Sequence, residues 1–314
     1  MELLSDIYNR NFKSLRISLL NRCNFSCTYC TMGEDDITEH TSIEANNLLD
    51  TVKKLHNVLK LETIRLTGGE PLLYHDLVPV IKGIKQLGIE DVKLTTNGFL
   101  LERMANSLKD AGMHSINVSL DAMDEDVFFL MSKRSDVQRI LKGIEAAQAV
   151  GLQVKINAVV MKGINENQLL PLVDYAFSRN IAIRFLEVMA MGHLHNDPLK
   201  YLFTENEILN IIATKYNFKK MKRNNSSTAN YWQTDSGNVF GIIANESEPF
   251  CKDCNRLRLD SEGNMYGCLS SNHPISLKDV NDDEALVEKL QQAMEQKQLV
   301  KFVGSDLSML QIGG

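Results

Sequence analysis

Cys23-Asn-Phe-Ser-Cys27-Thr-Tyr-Cys30 sets three thiols at CxxxCxxC spacing directly after the apolar run Leu15–Leu20. Three thiolates on one short loop can hold three irons of a [4Fe–4S] cluster. A fourth cysteine would complete an electron-transfer centre, and none lies nearby. The spacing therefore predicts a cluster with one iron open to bind something else. Zinc also takes Cys and His at short spacing, so the loop by itself leaves both metals open.

The arrangement recurs near the other end of the chain, in Cys251-Lys-Asp-Cys254 followed by Cys268. Asn255-Arg256-Leu257-Arg258-Leu259 comes directly after Cys254. On a strand, Arg256 and Arg258 project to the same side. Two guanidiniums beside a metal site make a bidentate receptor for phosphate or carboxylate. Read alone, this segment also suits a zinc ribbon short of one ligand, with His273 the nearest candidate for the fourth.

These loops need elements to position them. Short β-branched apolar runs at Leu15–Leu20, Thr63–Leu66, Val92–Thr95, Ile116–Leu120, Val154–Val160 and Ile181–Val188 alternate with segments of helical apolar spacing. The latter are Ile43–Leu59, Leu77–Leu87, Leu101–Ala111, Val137–Val150 and Leu169–Arg179. Gly88, Gly112 and Gly151 punctuate helix ends before the next strand. The rhythm predicts six βα units over roughly residues 14–190 and a parallel sheet. Both a partial barrel and a doubly wound sheet fit, and either puts ligands at the C-terminal ends of the strands. The cysteine loop, Gly68-Gly69-Glu70-Pro71, Thr96-Asn97-Gly98 and Asp121 all fall there. The glycine pair, lacking Cβ, is expected to let backbone approach a ligand closely.

After Met189 the rhythm changes. His193 to Pro198 reads as a linker, Thr204–Tyr216 as a helix and Lys219–Ser227 as a turn region. Tyr231–Thr234, Val239–Ala244 and Arg256–Asp260 read as antiparallel strands, and Leu286–Gln296 as a last helix. The division predicted is residues 1–192 and 193–314.

Composition bounds the partners. The 314 residues carry 44% hydrophobic and 24% charged side chains with a formal net charge of −6. That balance argues against a general nucleic-acid or anionic-membrane surface while allowing a local basic pocket. Met1-Glu-Leu-Leu-Ser-Asp lacks an apolar h-region, and no run of eighteen apolar residues occurs. A cytoplasmic protein is expected, with the clustered cysteines as metal ligands rather than three disulfides.

The CxxxCxxC loop with an aromatic before its last cysteine, on six βα units, resembles the radical S-adenosylmethionine (SAM) superfamily. That resemblance implies a partial (β/α)6 TIM-like barrel with a smaller C-terminal α+β domain carrying the second cluster. It implies a [4Fe–4S] cluster whose open iron chelates SAM, so that electron transfer releases methionine and a 5′-deoxyadenosyl radical. By position it implies SAM contacts from Tyr29, Gly69, Ser119 and Met189.

LRISLLNRCNFSCTYC, IRLTGGEPLL, LTTNGFLL, INVSLDAMD, VKINAVVMKGIN, IRFLEVM, FCKDCNRLRLDSEGNMYGCL and the terminal QIGG are together similar to the GTP 3′,8-cyclase family of molybdenum-cofactor biosynthesis. This closer resemblance implies a second [4Fe–4S] cluster at Cys251, Cys254 and Cys268 that binds the guanine of GTP. It implies GTP contacts from Arg16, Arg65, Thr95, Lys155, Arg256 and Arg258, and catalytic roles for Arg256, Arg258, Gly313 and Gly314. It further implies a flavodoxin- or ferredoxin-like low-potential donor and hand-off to a cyclic pyranopterin monophosphate synthase, from a monomer or homodimer.

Four departures from the family pattern stand out. Thr63 stands where relatives often have Lys, Asn21 replaces Asp, Thr31-Met32-Gly33 replaces Met-Pro, and the segment after Cys268 is short. The rival readings are another two-cluster radical SAM enzyme, such as a peptide-modifying one, and a non-catalytic zinc or iron–sulfur scaffold. The first would carry a larger cysteine-rich extension.

Overall fold

Alternation in the short apolar runs resolves into six parallel strands: β1 (Ser14–Ser18), β2 (Thr63–Thr67), β3 (Asp91–Thr96), β4 (Ser115–Ser119), β5 (Gln153–Val160) and β6 (Ala182–Glu187). They lie side by side in chain order. The computed structural model describes residues 4–31, 40–197, 199–278, 280 and 282–313. The helices between the strands are α1 (Ala45–Leu59), α2 (Leu77–Gln86), α3 (Leu101–Asp110), α4 (Glu125–Ser132), α5 (Val137–Ala149) and α6 (Leu169–Ser178).

The helices form where the apolar stripe predicts. In α1, Leu48, Val52, Leu55 and Leu59 recur every three or four residues and are buried, while Glu44 caps the N-terminus by accepting from Asn46 and Asn47 N–H. These stripes pack on one face of the strands, where Leu15, Ile17, Ile64, Leu66, Ile116, Val118, Ile156 and Phe185 are fully or almost fully buried. The opposite face carries Arg16, Arg65, Lys93, Asn117, Lys155 and Arg184, alternating with the apolar set as a strand requires. An enclosed barrel core is ordinarily filled by bulky apolar layers. A polar, cationic inner face instead leaves a lining for a ligand.

Helix α4 was not foreseen. Phe128 and Met131 are buried but the adjacent Phe129 and Leu130 are about half exposed, which blurs the helical stripe.

The C-terminal part comprises α7 (Glu205–Ala213), β7 (Phe218–Lys220), β8 (Asn230–Thr234), β9 (Val239–Ile243), β10 (Arg256–Leu259), β11 (Asn264–Tyr266), β12 (Ile275–Ser276), α8 (Asp283–Glu295) and the short α9 (Met309–Ile312). Its strands do not form a sheet of their own. One twelve-stranded sheet runs β12-β11-β10-β1-β2-β3-β4-β5-β6-β9-β8-β7. The expected antiparallel set is therefore only partly antiparallel. Strand β10 pairs parallel with β1, and β9 parallel with β6, each being antiparallel only to its outer neighbour. Lys219 and Lys220, expected in a turn, belong to β7 and pair with β8. The α/β architecture with a parallel, partial-barrel core is as expected, but its two edges are continued by strands from the second half.

A buried carboxylate ties the halves together. Glu187, at the end of β6, accepts from the backbone N–H of Glu205, Glu246 and Ser247 and is 1% exposed. No helix among the described residues is long and apolar enough to cross a membrane.

Candidate active site

The parallel pairing of β10 with β1 decides the geometry of the site. Cys23 follows β1 at its C-terminal end, whereas Cys254 lies two residues before Arg256, the first residue of β10, which is in register with Ser14 at the start of β1. The two cysteine sets therefore enter opposite ends of the barrel wall. Four residue steps along β1, at about 3.3 Å each, put about 13 Å of strand between those ends. The first set follows the rule that ligand loops sit at the C-terminal ends of the strands, and the second set lies at the other end.

No disulfide joins any two of the six cysteines, each of which is partly buried. Within each set the thiols act on one another. The Cys27 thiol is pushed up by burial and by the charges of Asp121, Cys30 and Cys23. Cys251 is pushed up to about 11 by burial and by Cys268 and Cys254. Cys254 behaves oppositely. Burial would raise it, but Arg256 and Lys297 more than offset that and bring it down to about 6. Arg256 Nη2 and Lys297 Nζ each donate to Cys254 Sγ at 3.2 Å. Among the described residues, no three His, Cys, Asp or Glu side chains close on a point that one metal ion would fill. His273 is exposed and engaged through its backbone, accepting from Gln296 Nε2 at 2.8 Å.

The first cysteine loop is braced from three sides. Gly69 N–H donates to Leu20 O and Glu70 N–H to Arg22 O. A Cβ on Gly68 would lie 2.7 Å from Leu20 O, and one on Gly69 2.2 Å from Arg22 O. The chain's own backbone thus already requires the missing Cβ at both positions. Glu70, 1% exposed, accepts from Leu72 N–H, Thr96 Oγ1 and Asn97 N–H, and burial pushes its carboxyl up to about 7. It thereby locks the second loop to the third. Asn97 Nδ2 in turn donates to Asn24 Oδ1 at 2.9 Å. Tyr29 OH donates to Asp121 Oδ2 at 3.0 Å, and Asp121 Oδ1 accepts from Val159 N–H, while burial raises that carboxyl to about 6. Ser119 ends β4 in register with Asn157, and Met189 packs beside Ala190, Met191, Tyr266, Phe302 and Ile312.

Between the two cysteine sets the inner wall is a band of cations. Arg16 is in register with Arg258 on one side and Arg65 on the other, and Arg65 with Lys93. Arg16 is held well below the usual arginine range by burial and by the charges of Arg258, Arg65 and Arg256. Burial, Arg184 and Arg256 bring Arg65 down to about 10. Lys155 is likewise lowered by burial and by Arg184, Lys93 and Arg65. Arg16 Nε and Arg184 Nη2 are buried donors without a protein partner. Arg65 Nη1 donates weakly to Thr95 Oγ1 at 3.3 Å. The structure thus brings together Arg16, Arg65, Thr95, Lys155, Arg256 and Arg258. It adds Lys93 and Arg184, which alternation in Val92-Lys93-Leu94 and Ile183-Arg184-Phe185 would reveal once the inner face is known to be polar. Asp91 Oδ2 accepts from Lys93 Nζ at 2.6 Å and from Thr63 Oγ1 at 2.7 Å.

The chain terminus reaches this wall. Arg258 Nη1 donates to Gly313 O. Gly313 has φ +82°, and a Cβ there would lie 2.8 Å from Thr67 Oγ1 and 3.0 Å from Ser18 Cβ. The approach is fixed by Ser305, whose N–H donates to Ala190 O, and by Gly192 N–H donating to Ser305 O. His195 Nδ1 also lies 2.8 Å from Asp306 Oδ1. Gly314, Met32 and Gly33 lie outside the described residues.

Known proteins resemble this chain in sequence and in fold. Residues 17–176 match the family model of the radical SAM superfamily, and residues 181–302 that of Molybdenum Cofactor Synthesis C. The chain is 38% identical over 277 residues to a GTP 3′,8-cyclase of Staphylococcus epidermidis, covering 85% of this chain and 82% of that protein. It is 36% identical to that of Staphylococcus carnosus over the same shares. In fold it is similar to Streptococcus suis SuiB bound to S-adenosylmethionine, with TM-score 0.64, 15% identity, and 90% and 67% of the two chains covered. It is also similar to native anSMEcpe with bound AdoMet, with TM-score 0.61, 14% identity, and 90% and 81% covered.

Proposed function

The chain belongs to the radical SAM superfamily and, within it, to the GTP 3′,8-cyclases, and from that premise we propose that it rearranges GTP to (8S)-3′,8-cyclo-7,8-dihydroguanosine 5′-triphosphate. The observation that carries the reading is a wall of mutually repelling cations, with Asp91 the one carboxylate paired to it among the described residues, strung between two three-thiol sets at opposite ends of the barrel wall. Such a wall fits a polyanion, since buried cations that repel one another need an opposite charge to be stable there.

Cys23, Cys27 and Cys30 would hold one [4Fe–4S] cluster and Cys251, Cys254 and Cys268 the other. Three thiols on each side, too spread to close on a single metal ion yet near enough to feel one another's charge, suit such a cluster with one iron left open. When bound, the first cluster and SAM supply the radical hydrogen abstraction that the protein itself has no group to perform. The chain's own residues orient the reactants. Tyr29, steadied by Asp121, and Gly69, Ser119 and Met189 would place SAM at the C-terminal end of the barrel. Arg16, Arg65, Lys155, Arg256 and Arg258, with Thr95, would bind the triphosphate, leaving the purine to the second set. Gly313 would hold Arg258 in place through its carbonyl, with Gly314 beyond it. Ribose carbon and C8 then lie between fixed ends, and bond formation depends on such positioning within about 3–3.5 Å.

The same reading includes a cytoplasmic location, a flavodoxin- or ferredoxin-like electron donor, and transfer of the product to a cyclic pyranopterin monophosphate synthase, from a monomer or homodimer. Anaerobic reconstitution tests its centre. About eight irons per chain are expected, two clusters of four, with 5′-deoxyadenosine formed in proportion to GTP consumed. Absence of 5′-deoxyadenosine would sink the enzyme assignment. Formation indifferent to GTP would sink the substrate.

Lys93 provides a narrower check. Thr63 carries no charge, and the neighbouring Lys93, bound to the same Asp91 carboxylate, is the cation available at that level. Lys93→Met is expected to raise KM for GTP about tenfold, the equivalent of one charged contact of about 1.4 kcal/mol, with kcat little changed. An unchanged KM would remove Lys93 from the phosphate site.

A further inference from the structure

Lys297 lies just beyond α8, in a stretch, Glu295-Gln296-Lys297-Gln298, that reads as solvated surface. Its ammonium is instead turned inward. The three donors that an ammonium has go to Cys254 Sγ at 3.2 Å, Arg256 O at 2.7 Å and Gly267 O at 2.7 Å. Two carbonyls and a sulfur accept it, with no carboxylate among them. The Phe12 ring, 1% exposed, covers it at 5.3 Å from the centroid.

The surrounding backbone shows that this placement is built. Lys297 N–H donates to Met294 O and Gln296 N–H to Ala293 O, so both residues are fixed to the last turn of α8. Gly267, directly before Cys268, docks on that turn. Its N–H donates to Gln296 Oε1 at 2.9 Å, and a Cβ on it would fall 1.6 Å from Ala293 O, which excludes any other residue. One side chain therefore joins Cys254, the β10 strand that bears Arg256, and the turn that presents Cys268.

We infer that Lys297 is a counter-charge of the second thiolate set, beside Arg256, and that it raises both the hold on the bound cluster and its reduction potential. The inference rests on assigning a [4Fe–4S] cluster to Cys251, Cys254 and Cys268. A cluster ligated by thiolates gains negative charge on reduction, and hydrogen bonds and positive charge at its sulfurs raise the potential. A half-buried cation against Phe12 acts on a sulfur at this range with less screening than one in open water. Lys297 is a positioning residue in this role, because it acts through Cys254 and Gly267.

The test uses full-length protein in which Cys23, Cys27 and Cys30 are all replaced by alanine, so that bound iron belongs to the second set. That background should take up about four irons per chain. Lys297→Met and Lys297→Gln are each expected to lose iron to a chelator several-fold faster. Both should also show a more negative midpoint in a titration followed by electron paramagnetic resonance. Lys297→Arg, which keeps the charge, should stay near the background in both. Should Lys297→Met fail to fold, Lys297→Gln, neutral but still able to reach the carbonyls, decides the question. Neutral variants with unchanged iron loss and unchanged midpoint would overturn the inference. A background protein that takes up no iron would overturn the cluster assignment itself.

Discussion

Replacing Arg256 and Arg258 together by alanine is expected to abolish conversion of GTP while SAM is still cleaved to 5′-deoxyadenosine. The two guanidiniums reach the site from β10, between the second cysteine set and Arg16. Arg258 also donates to Gly313 O, and Arg256 to Cys254 Sγ. Hydrogen bonds to charged groups contribute about 1.5–3 kcal/mol each, so losing two costs a factor of about 10²–10⁴ in kcat/KM. The SAM end should be spared, because the cysteine loop, Glu70, Asn97 and Asp121 make their contacts without either arginine. Iron must be counted in the same sample, since Arg256 touches Cys254. Arg258→Lys is expected to fall between parent and double variant, because lysine keeps the charge but loses the planar fork. A double variant that converts GTP at the parental rate would show that the cationic wall is not the anion site.

Substituting Gly313 is expected to have the second largest effect, and at no cost in iron. A side chain there is opposed twice. At φ +82° an L-residue is strained by about 1–2 kcal/mol, and the new Cβ would press on Thr67 Oγ1 and Ser18 Cβ at the mouth of β1 and β2. The tail would have to withdraw, taking its carbonyl from Arg258. Gly313→Val should lower kcat for GTP about a hundredfold, matching a loss of about 2.7 kcal/mol, while uncoupled SAM cleavage persists. If the tail acts by steering Arg258, Gly313→Val and Arg258→Ala will be non-additive, since both break one contact. Strict additivity would mean that the terminus works independently of Arg258. Parental turnover by Gly313→Val would remove it from the site altogether.

Much of the barrel was legible before any coordinates. Each of the six strand segments formed within a residue or two of its expected bounds, because period-two and three-to-four apolar spacings record which face an element buries. The missed residues share one cause. Lys93 and Arg184 alternate with buried apolar neighbours, as residues on a solvated sheet face would, and only the curvature of the sheet turns that polar face inward. Lys297 sits in a polar stretch after a helix and is recognisable as interior only once Cys254 and Gly267 are beside it. Strand β9 is a short apolar run and β10 alternates Arg with Leu, and neither pattern carries information on whether a distant partner runs parallel or antiparallel.

Cys23, Cys27, Cys30, Cys251, Cys254 and Cys268 declared two three-thiol sites from spacing, since a short loop, or one hairpin such as β10–β11, brings its own thiols together by local structure. Local chemistry of that kind is written in order along the chain. That the two sites enter opposite ends of the barrel, with Arg258, Arg16, Arg65 and Lys93 ranked between them, depends on the parallel register of β10 against β1, of β1 against β2 and of β2 against β3. Backbone hydrogen bonds set that register, between residues some 240 positions apart where β10 meets β1. No local pattern encodes such pairing, because the peptide groups that make it are the same at every residue.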